Sequence, residues 1–328
     1  MKKILILGGT QFIGRTLVEQ LQKSNKYDIT LFNRQQTGKD LFPNIKKIKG
    51  SRETDDVSQI AQQDWEYVID VSCYYPDSLD RVLKSLKGTL QKYMLISTCS
   101  VYDNTEHQTE LSDETAEILS CTPEQRSDRA NDSYGQRKAE CERILQNTTH
   151  QHLILRPALV YGNYDHTDRL YYWLHQVKEK SKIILPDAGE RVFSLTYVHD
   201  LVQTIIAGLE TPLTGIYNVI SAPKTSIQQI VNTAAKQLDA TFETVNASPH
   251  FLHKNHINQW SDMPLWLDCD HYTYSNEKLK KDTDMQLTNL EEGLQNTIAY
   301  YNTLNWKEPI YGMSEATRLK LLEKLALE

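Results

Sequence analysis

No stretch of this 328-residue chain approaches the roughly 20 consecutive apolar residues that a membrane-spanning helix needs, so a membrane span is excluded. Cysteine is sparse: Cys73, Cys99, Cys121, Cys141 and Cys269 are an odd number with no Cys-x-x-Cys pair. That pattern suits free thiols in a reducing cytoplasm. A basic excess is missing too, and the formal charge of −7 argues against broad nucleic-acid affinity. Internal repeats are absent. His250, His253 and His256 recur every three residues but have no Cys or acid ligands at a recognised spacing, so a polar helix face is expected there and no metal. Met1-Lys2-Lys3 leads into only a few apolar residues before a turn, which reads as a first strand and not as a signal peptide. The length allows a large core and two domains.

What is present begins with that strand. Lys3 to Leu7 is a short apolar run, followed by Gly8-Gly9-Thr10-Gln11-Phe12-Ile13-Gly14 and then by helical spacing through Leu17, Val18 and Leu21. Strand, glycine turn and helix are the setting in which backbone amides and a helix N-terminus receive a pyrophosphate. Gly8, Thr10, Gln11, Phe12, Ile13 and Gly14 are therefore candidate cofactor contacts. Gly14 would let the helix pack close to the sheet, and the middle position of the Gly-x-x-Gly-x-x-Gly spacing is Gln11 instead of glycine. About twenty residues on, an acid would grip the ribose 2′-hydroxyl of NAD. Here the second strand ends in Asn33-Arg34, and Asp28 is at its other end. An arginine in this place pairs with a 2′-phosphate, so NADP is expected over NAD.

The second signal is Tyr134-Gly135-Gln136-Arg137-Lys138. A tyrosine and a lysine four residues apart share a helix face, and an ammonium beside a phenol favours phenolate. Ser133 with Gln136 reads as a capping box that starts the helix. With 18 tyrosines in the chain, such a pair alone is weak, but it stands in the right company.

Together with Met94 to Tyr102, Leu155-Arg156-Pro157-Ala158-Leu159-Val160-Tyr161-Gly162, Tyr197-Val198-His199-Asp200 and Tyr217-Asn218-Val219, these motifs resemble the extended short-chain dehydrogenase/reductase family, the group of NAD-dependent epimerases and dehydratases. Within it the chain is most similar to a reductase- or epimerase-labelled branch that shares its glycine loop with chloroplast stem-loop-binding proteins. The resemblance implies an α/β fold, a Rossmann-type doubly wound parallel sheet with a smaller C-terminal substrate lobe. It implies Thr98 as the catalytic hydroxyl, with Ser97 if the register slips by one, Tyr134 as general acid/base, and Lys138 serving both Tyr134 and the nicotinamide ribose. Ser51 stands where relatives carry an aspartate on the adenine, which weakens that contact. Cys99-Ser100 offers no carboxylate of the kind dehydratases use.

The expected division is residues 1–162 and 190–220 for the NAD(P)-binding domain and 163–189 and 221–328 for the substrate lobe. Strands are expected at 3–7, 27–32, 45–49, 66–71, 92–97 and 152–156, and helices at 12–23, 53–62, 77–87 and 133–147. The polar stretch 103–130 reads as a long loop or lid. The expected function is a cytoplasmic NAD(P)-dependent oxidoreductase or epimerase acting at a hydroxyl or ketone carbon of a sugar-like, nucleotide-sugar-type small molecule. No nucleic-acid or membrane partner is expected, and a homodimer is admissible. The competing class is a non-catalytic NAD(P) sensor or RNA-binding protein on the same fold. Three further features carry less weight: Trp260 to Trp266 as a stacking surface or as packing, Arg169 as an anion contact or as a partner of Asp168, and Cys269-Asp270-His271 as a nucleophile set.

Overall fold

The computed structural model describes residues 1–88, 90–103, 110–267, 269 and 272–327. Its strands are β1 (Lys2–Leu7), β2 (Tyr27–Asn33), β3 (Lys46–Lys49), β4 (Tyr67–Asp70), β5 (Lys92–Ile96), β6 (His152–Pro157), β7 (Leu159–Tyr161), β8 (Lys182–Pro186), β9 (Val192–Tyr197), β10 (Gly215–Val219), β11 (Ala222–Ser226) and β12 (Glu243–Ala247). The helices are α1 (Phe12–Ser24), α2 (Pro76–Ser85), α3 (Pro123–Ser127), α4 (Tyr134–Gln146), α5 (Arg169–Glu179), α6 (Val198–Glu210), α7 (Ile227–Leu238), α8 (Pro249–Lys254), α9 (Glu277–Thr283), α10 (Leu290–Asn302) and α11 (Glu315–Leu325). None is long and apolar enough to cross a membrane among the described residues.

Seven parallel strands form the central sheet in the order β10-β6-β5-β4-β1-β2-β3. This is a Rossmann-type doubly wound sheet, and the apolar runs of its strands follow from burial on both faces. Successive side chains of β1 alternate: Ile4 and Ile6 pack with Leu17, Val18, Val202 and Ile205 of α1 and α6, while Leu5 and Leu7 pack with Leu79, Val82 and Leu145 of α2 and α4. The chain runs outward from β1 through β2 to β3 and then returns to β4 on the other side of β1. The crevice at that reversal, beyond the carboxyl ends of β1 and β4, is where ligands bind in such sheets. A three-stranded sheet, β11-β9-β7, and a two-stranded pair, β12-β8, follow.

The expected strands fall within about one residue of those observed, whereas two local expectations are corrected. Residues 55–62 wind as a 3-10 helix and not as an α-helix. The capping box at Ser133 does not form, because a 3-10 turn (Asn131–Ser133) runs straight into α4 and the Ser133 hydroxyl donates to Asp128 Oδ2 at 2.6 Å. The expected lid holds structure where it is described: Thr122 and Gln125 make a reciprocal capping box on α3, and Tyr102 bridges to Ile118. Residues 104–109 of that stretch lie outside the described residues.

Candidate active site

At the end of β1, Gly8 and Gly9 adopt φ of +112° and +96°, conformations that glycine takes without strain. Gln11 sits in extended backbone (φ −140°, ψ 141°), so glycine is not required there. Phe12 instead takes the positive φ of 41°. A Cβ on Gly14 would lie 2.7 Å from the Gly9 nitrogen and 2.8 Å from its Cα. Close contact of α1 with the turn thus depends on Gly14. No side chain caps the N-terminus of α1. An uncapped helix start against a glycine cradle suits the anionic pyrophosphate of a dinucleotide. Gly14→Val should push α1 off the turn, at the roughly 1–3 kcal/mol that overpacking costs, and remove cofactor binding while the fold persists. Calorimetric titration beside a melting curve is the check, and normal binding would make the turn purely structural.

The neighbouring strand ends support this cradle. The Asn33 carboxamide is committed to it: Nδ2 donates to Gly8 O at 2.9 Å and Oδ1 accepts from Gln35 N at 3.0 Å. Arg34 is exposed beyond β2. Ser51 is spent within its own turn, accepting from Glu53 N at 3.2 Å, while its amide donates to Asp56 Oδ2 at 3.1 Å. Arg52, which the sequence reading passed over, folds inward and donates two bonds, at 2.6 and 2.8 Å, to Asp70 at the end of β4. Burial opposes the Arg52 charge, but Asp70 outweighs it and holds the guanidinium well above its usual range. A cavity of about 380 Å³ opens beside the glycine loop between Thr10, Gln11, Phe12 and Arg15 on one side and Tyr164 and Tyr300 on the other. A larger one, about 720 Å³, lies at Lys2, Tyr27 and Glu66, by the opposite strand ends.

Tyr134, Lys138 and Glu142 recur every four residues on one face of α4, and each level of that face is fixed differently. Glu142 is fully buried and receives Arg156 Nε at 3.0 Å and Nη2 at 2.6 Å, together with the Ser97 hydroxyl. Ser97 is thereby consumed in the core. One turn nearer the crevice, the buried Lys138 ammonium donates to Cys73 O and Ile96 O, both at 2.7 Å. An ammonium has three donors, so one remains for the crevice. Burial pulls Lys138 down, yet Tyr134 and the thiols of Cys73 and Cys141 outweigh it and the net shift is upward. At the top stands Tyr134, half-buried.

Thr98 caps the short turn Cys99–Val101, its Oγ1 accepting from Ser100 N at 3.1 Å and donating to Ser100 Oγ at 3.2 Å. Ser100 Oγ is 3.4 Å from the hydroxyl of Tyr272, a buried residue that sequence motifs did not single out. A Cβ on Gly135 would fall 2.2 Å from Ser100 O, so glycine beside Tyr134 lets the helix start close against the Thr98 turn. Arg169 Nε donates to Thr167 Oγ1 at 3.0 Å, while Asp168 accepts from Ile310 N at 2.8 Å. Among the described residues Arg169 forms no ion pair with Asp168, so that alternative is set aside.

The remaining candidates do not converge here. His250 and His253 are exposed on α8, with His253 stacked on Trp266, and His256 lies past its end; no metal-binding group occurs among the described residues. Trp266 is buried and Trp173 Nε1 donates to Pro264 O at 2.6 Å, so the second half of this segment packs the core, whereas Trp260 is 39% exposed. Asp270 and His271 lie outside the described residues. None of the five cysteines forms a disulfide among the described residues.

Residues 4–219, which carry the glycine cradle at the reversal point and the Tyr–Lys helix face beside it, match the NAD dependent epimerase/dehydratase family. The chain belongs to that family. It is 25% identical over 252 residues to the chloroplast stem-loop binding protein of 41 kDa b from Arabidopsis thaliana; the match takes in 72% of this chain and 63% of the plant protein, short of its full length. It is also 25% identical over 342 residues to the uncharacterized UDP-glucose epimerase YtcB of Bacillus subtilis (strain 168), covering 92% and 98% of the two chains. Its fold resembles that of UDP-glucuronic acid 4-epimerase from Bacillus cereus, solved with UDP-glucuronic acid and NAD, at a TM-score of 0.70 and 19% identity over 92% and 99% of the chains.

Proposed function

We propose that the protein is an NAD(P)-dependent oxidoreductase or epimerase acting at a hydroxyl or ketone carbon of a sugar-like substrate, in the nucleotide-sugar class to which the names of its relatives point. The observation that carries this reading is the placement of Tyr134 and Lys138 on one helix face, close against the Thr98 turn and at the same sheet edge as the glycine cradle. A bound nicotinamide supplies the hydride acceptor or donor. Tyr134 takes the proton from the substrate hydroxyl in one direction and returns it to the alkoxide in the other. Thr98 orients the substrate oxygen, and the remaining Lys138 donor serves Tyr134 or a ribose hydroxyl. Residues 1–162 and 190–220 bind the cofactor in this reading, and 163–189 with 221–328 contribute the substrate side. RNA binding, suggested by the plant relative's name, is disfavoured by the charge of −7 and makes no use of the Tyr134–Lys138 pair.

Screening nucleotide sugars and small carbonyl compounds by nicotinamide absorbance, with NMR of the products to catch redox-neutral epimerisation, tests the assignment. Conversion of at least one member is expected, and a dinucleotide-bound protein that converts none contradicts it.

NADP is the preferred cofactor in this proposal, because Arg34 follows β2 where an acid would otherwise exclude a 2′-phosphate. Arg34→Asp should reverse the preference, with the roughly 1.5–3 kcal/mol of a hydrogen bond to a charged group at stake. Titration of both dinucleotides checks this, and equal affinities unchanged by the substitution would refute the role of Arg34.

A further inference from the structure

The loop between β4 and α2 leaves the carboxyl end of its strand, and its residues are fixed on both sides of Tyr74. Before it, Cys73 O accepts from Lys138 at 2.7 Å. After it, the Tyr75 ring has the Arg129 guanidinium 3.8 Å and the Arg137 guanidinium 5.1 Å from its centroid. Arg129 is in turn bonded through both Nη atoms to Glu53, at 3.2 and 3.1 Å. Tyr75 O accepts from Ser78 Oγ at 2.9 Å, and Pro76 begins α2.

Between these anchors Tyr74 remains 51% exposed. Its ring centroid is 6.0 Å from Lys138 Nζ and 6.4 Å from that of Tyr134, with the two tyrosine planes inclined at 41°. A single exposed aromatic is ordinary on a protein surface. This one stands on a braced loop, over an ammonium with two of its three donors committed to Cys73 O and Ile96 O. Holding it there keeps a flat apolar face next to the proposed acid/base, and the ordering cost is met before any ligand arrives.

The geometry points to Tyr74 as a cofactor-positioning residue: its ring is the wall against which the nicotinamide end of the dinucleotide packs, beside Tyr134 and Lys138. This rests on the dinucleotide reading above. A planar nicotinamide suits an aromatic face, and an aromatic pair contributes about 0.5–1.5 kcal/mol, or roughly 2- to 12-fold in affinity.

The test compares the parent protein, Tyr74→Phe and Tyr74→Leu by calorimetric titration with two probes. One is the oxidised dinucleotide that the parent binds more tightly, and the other is the matching ADP-ribose, with or without the 2′-phosphate, which lacks the nicotinamide. Tyr74→Leu should weaken the dinucleotide roughly 2- to 12-fold and leave the ADP-ribose unchanged, and Tyr74→Phe should restore the parent value. Equal affinity of Tyr74→Leu and parent for the dinucleotide overturns the role of Tyr74 alone. So does an equal loss for both probes, which would mean that the loop had merely moved. A parent that binds neither probe removes the functional reading itself and this inference with it. If Tyr74→Leu keeps dinucleotide affinity but raises substrate KM, the ring faces the substrate and the nicotinamide assignment is wrong.

Discussion

Tyr134→Phe should fold, bind cofactor almost as the parent does, and lose about 10²–10⁴-fold in turnover, the range of a lost general acid/base. The substitution removes one hydroxyl and keeps the ring, and α4 is held lower down by Lys138 and Glu142, so the helix has no reason to move. Two companions separate chemistry from structure. Lys138→Met should lower turnover and also weaken the cofactor, and it leaves Cys73 O and Ile96 O without their shared donor. Thr98→Val should lower turnover and leave cofactor affinity near the parent's, while loss of the cap on Ser100 N shows in the melting temperature. Turnover, cofactor affinity and melting temperature measured for each variant distinguish these patterns. Full activity in Tyr134→Phe would rule out the mechanism.

The second large effect is on stability. Glu142→Gln leaves the Arg156 guanidinium, 2% exposed, without its counter-charge, and breaking a buried ion pair from one side costs about 3–5 kcal/mol. Arg156 also donates to the Tyr102 hydroxyl at 2.9 Å, and Tyr102 donates to Asn218 at 2.6 Å, so the loss spreads across β6, β10 and the turn that follows β5. Replacing both partners, Glu142→Leu with Arg156→Met, should recover much of the stability, because the desolvation of both charges is then avoided. Chemical denaturation gives the comparison. A Glu142→Gln protein as stable as the parent would show that the pair contributes little to holding α4 on the sheet.

The sheet was legible because its determinants are local. Ile4 to Leu7 must be apolar on both faces of a buried parallel strand, and Gly8, Gly9 and Gly14 sit where φ or close approach demands glycine. The Tyr134–Lys138 face was legible for the same reason, since four-residue spacing is a property of the helix itself. What escaped depends on partners distant in sequence. Ser133 has the composition of a cap, yet Asp128 takes its hydroxyl and the preceding 3-10 turn supplies the helix start. Glu142 reads as an ordinary helix-surface acid until Arg156, from a strand that crosses beneath α4, meets it in the core. A signal was available in the charged residue interrupting Leu153-Ile154-Leu155-Arg156, because a buried charge needs a partner. Tyr272 and Tyr74 carried no signal of that kind; only the folding of two separate loops toward the same crevice brings them near Ser100 and Tyr134.

The most direct measurement is a single-turnover mixing experiment, in which protein loaded with the oxidised dinucleotide meets each nucleotide sugar of the panel while the near-ultraviolet absorbance of reduced nicotinamide is followed. With at least one sugar the parent should show that absorbance rise, transient for an epimerase and lasting for an oxidoreductase, and Tyr134→Phe should slow it in proportion to its turnover. A rise that proceeds at the parent rate in Tyr134→Phe, or a parent that binds dinucleotide and gives no rise with any sugar, would contradict the account.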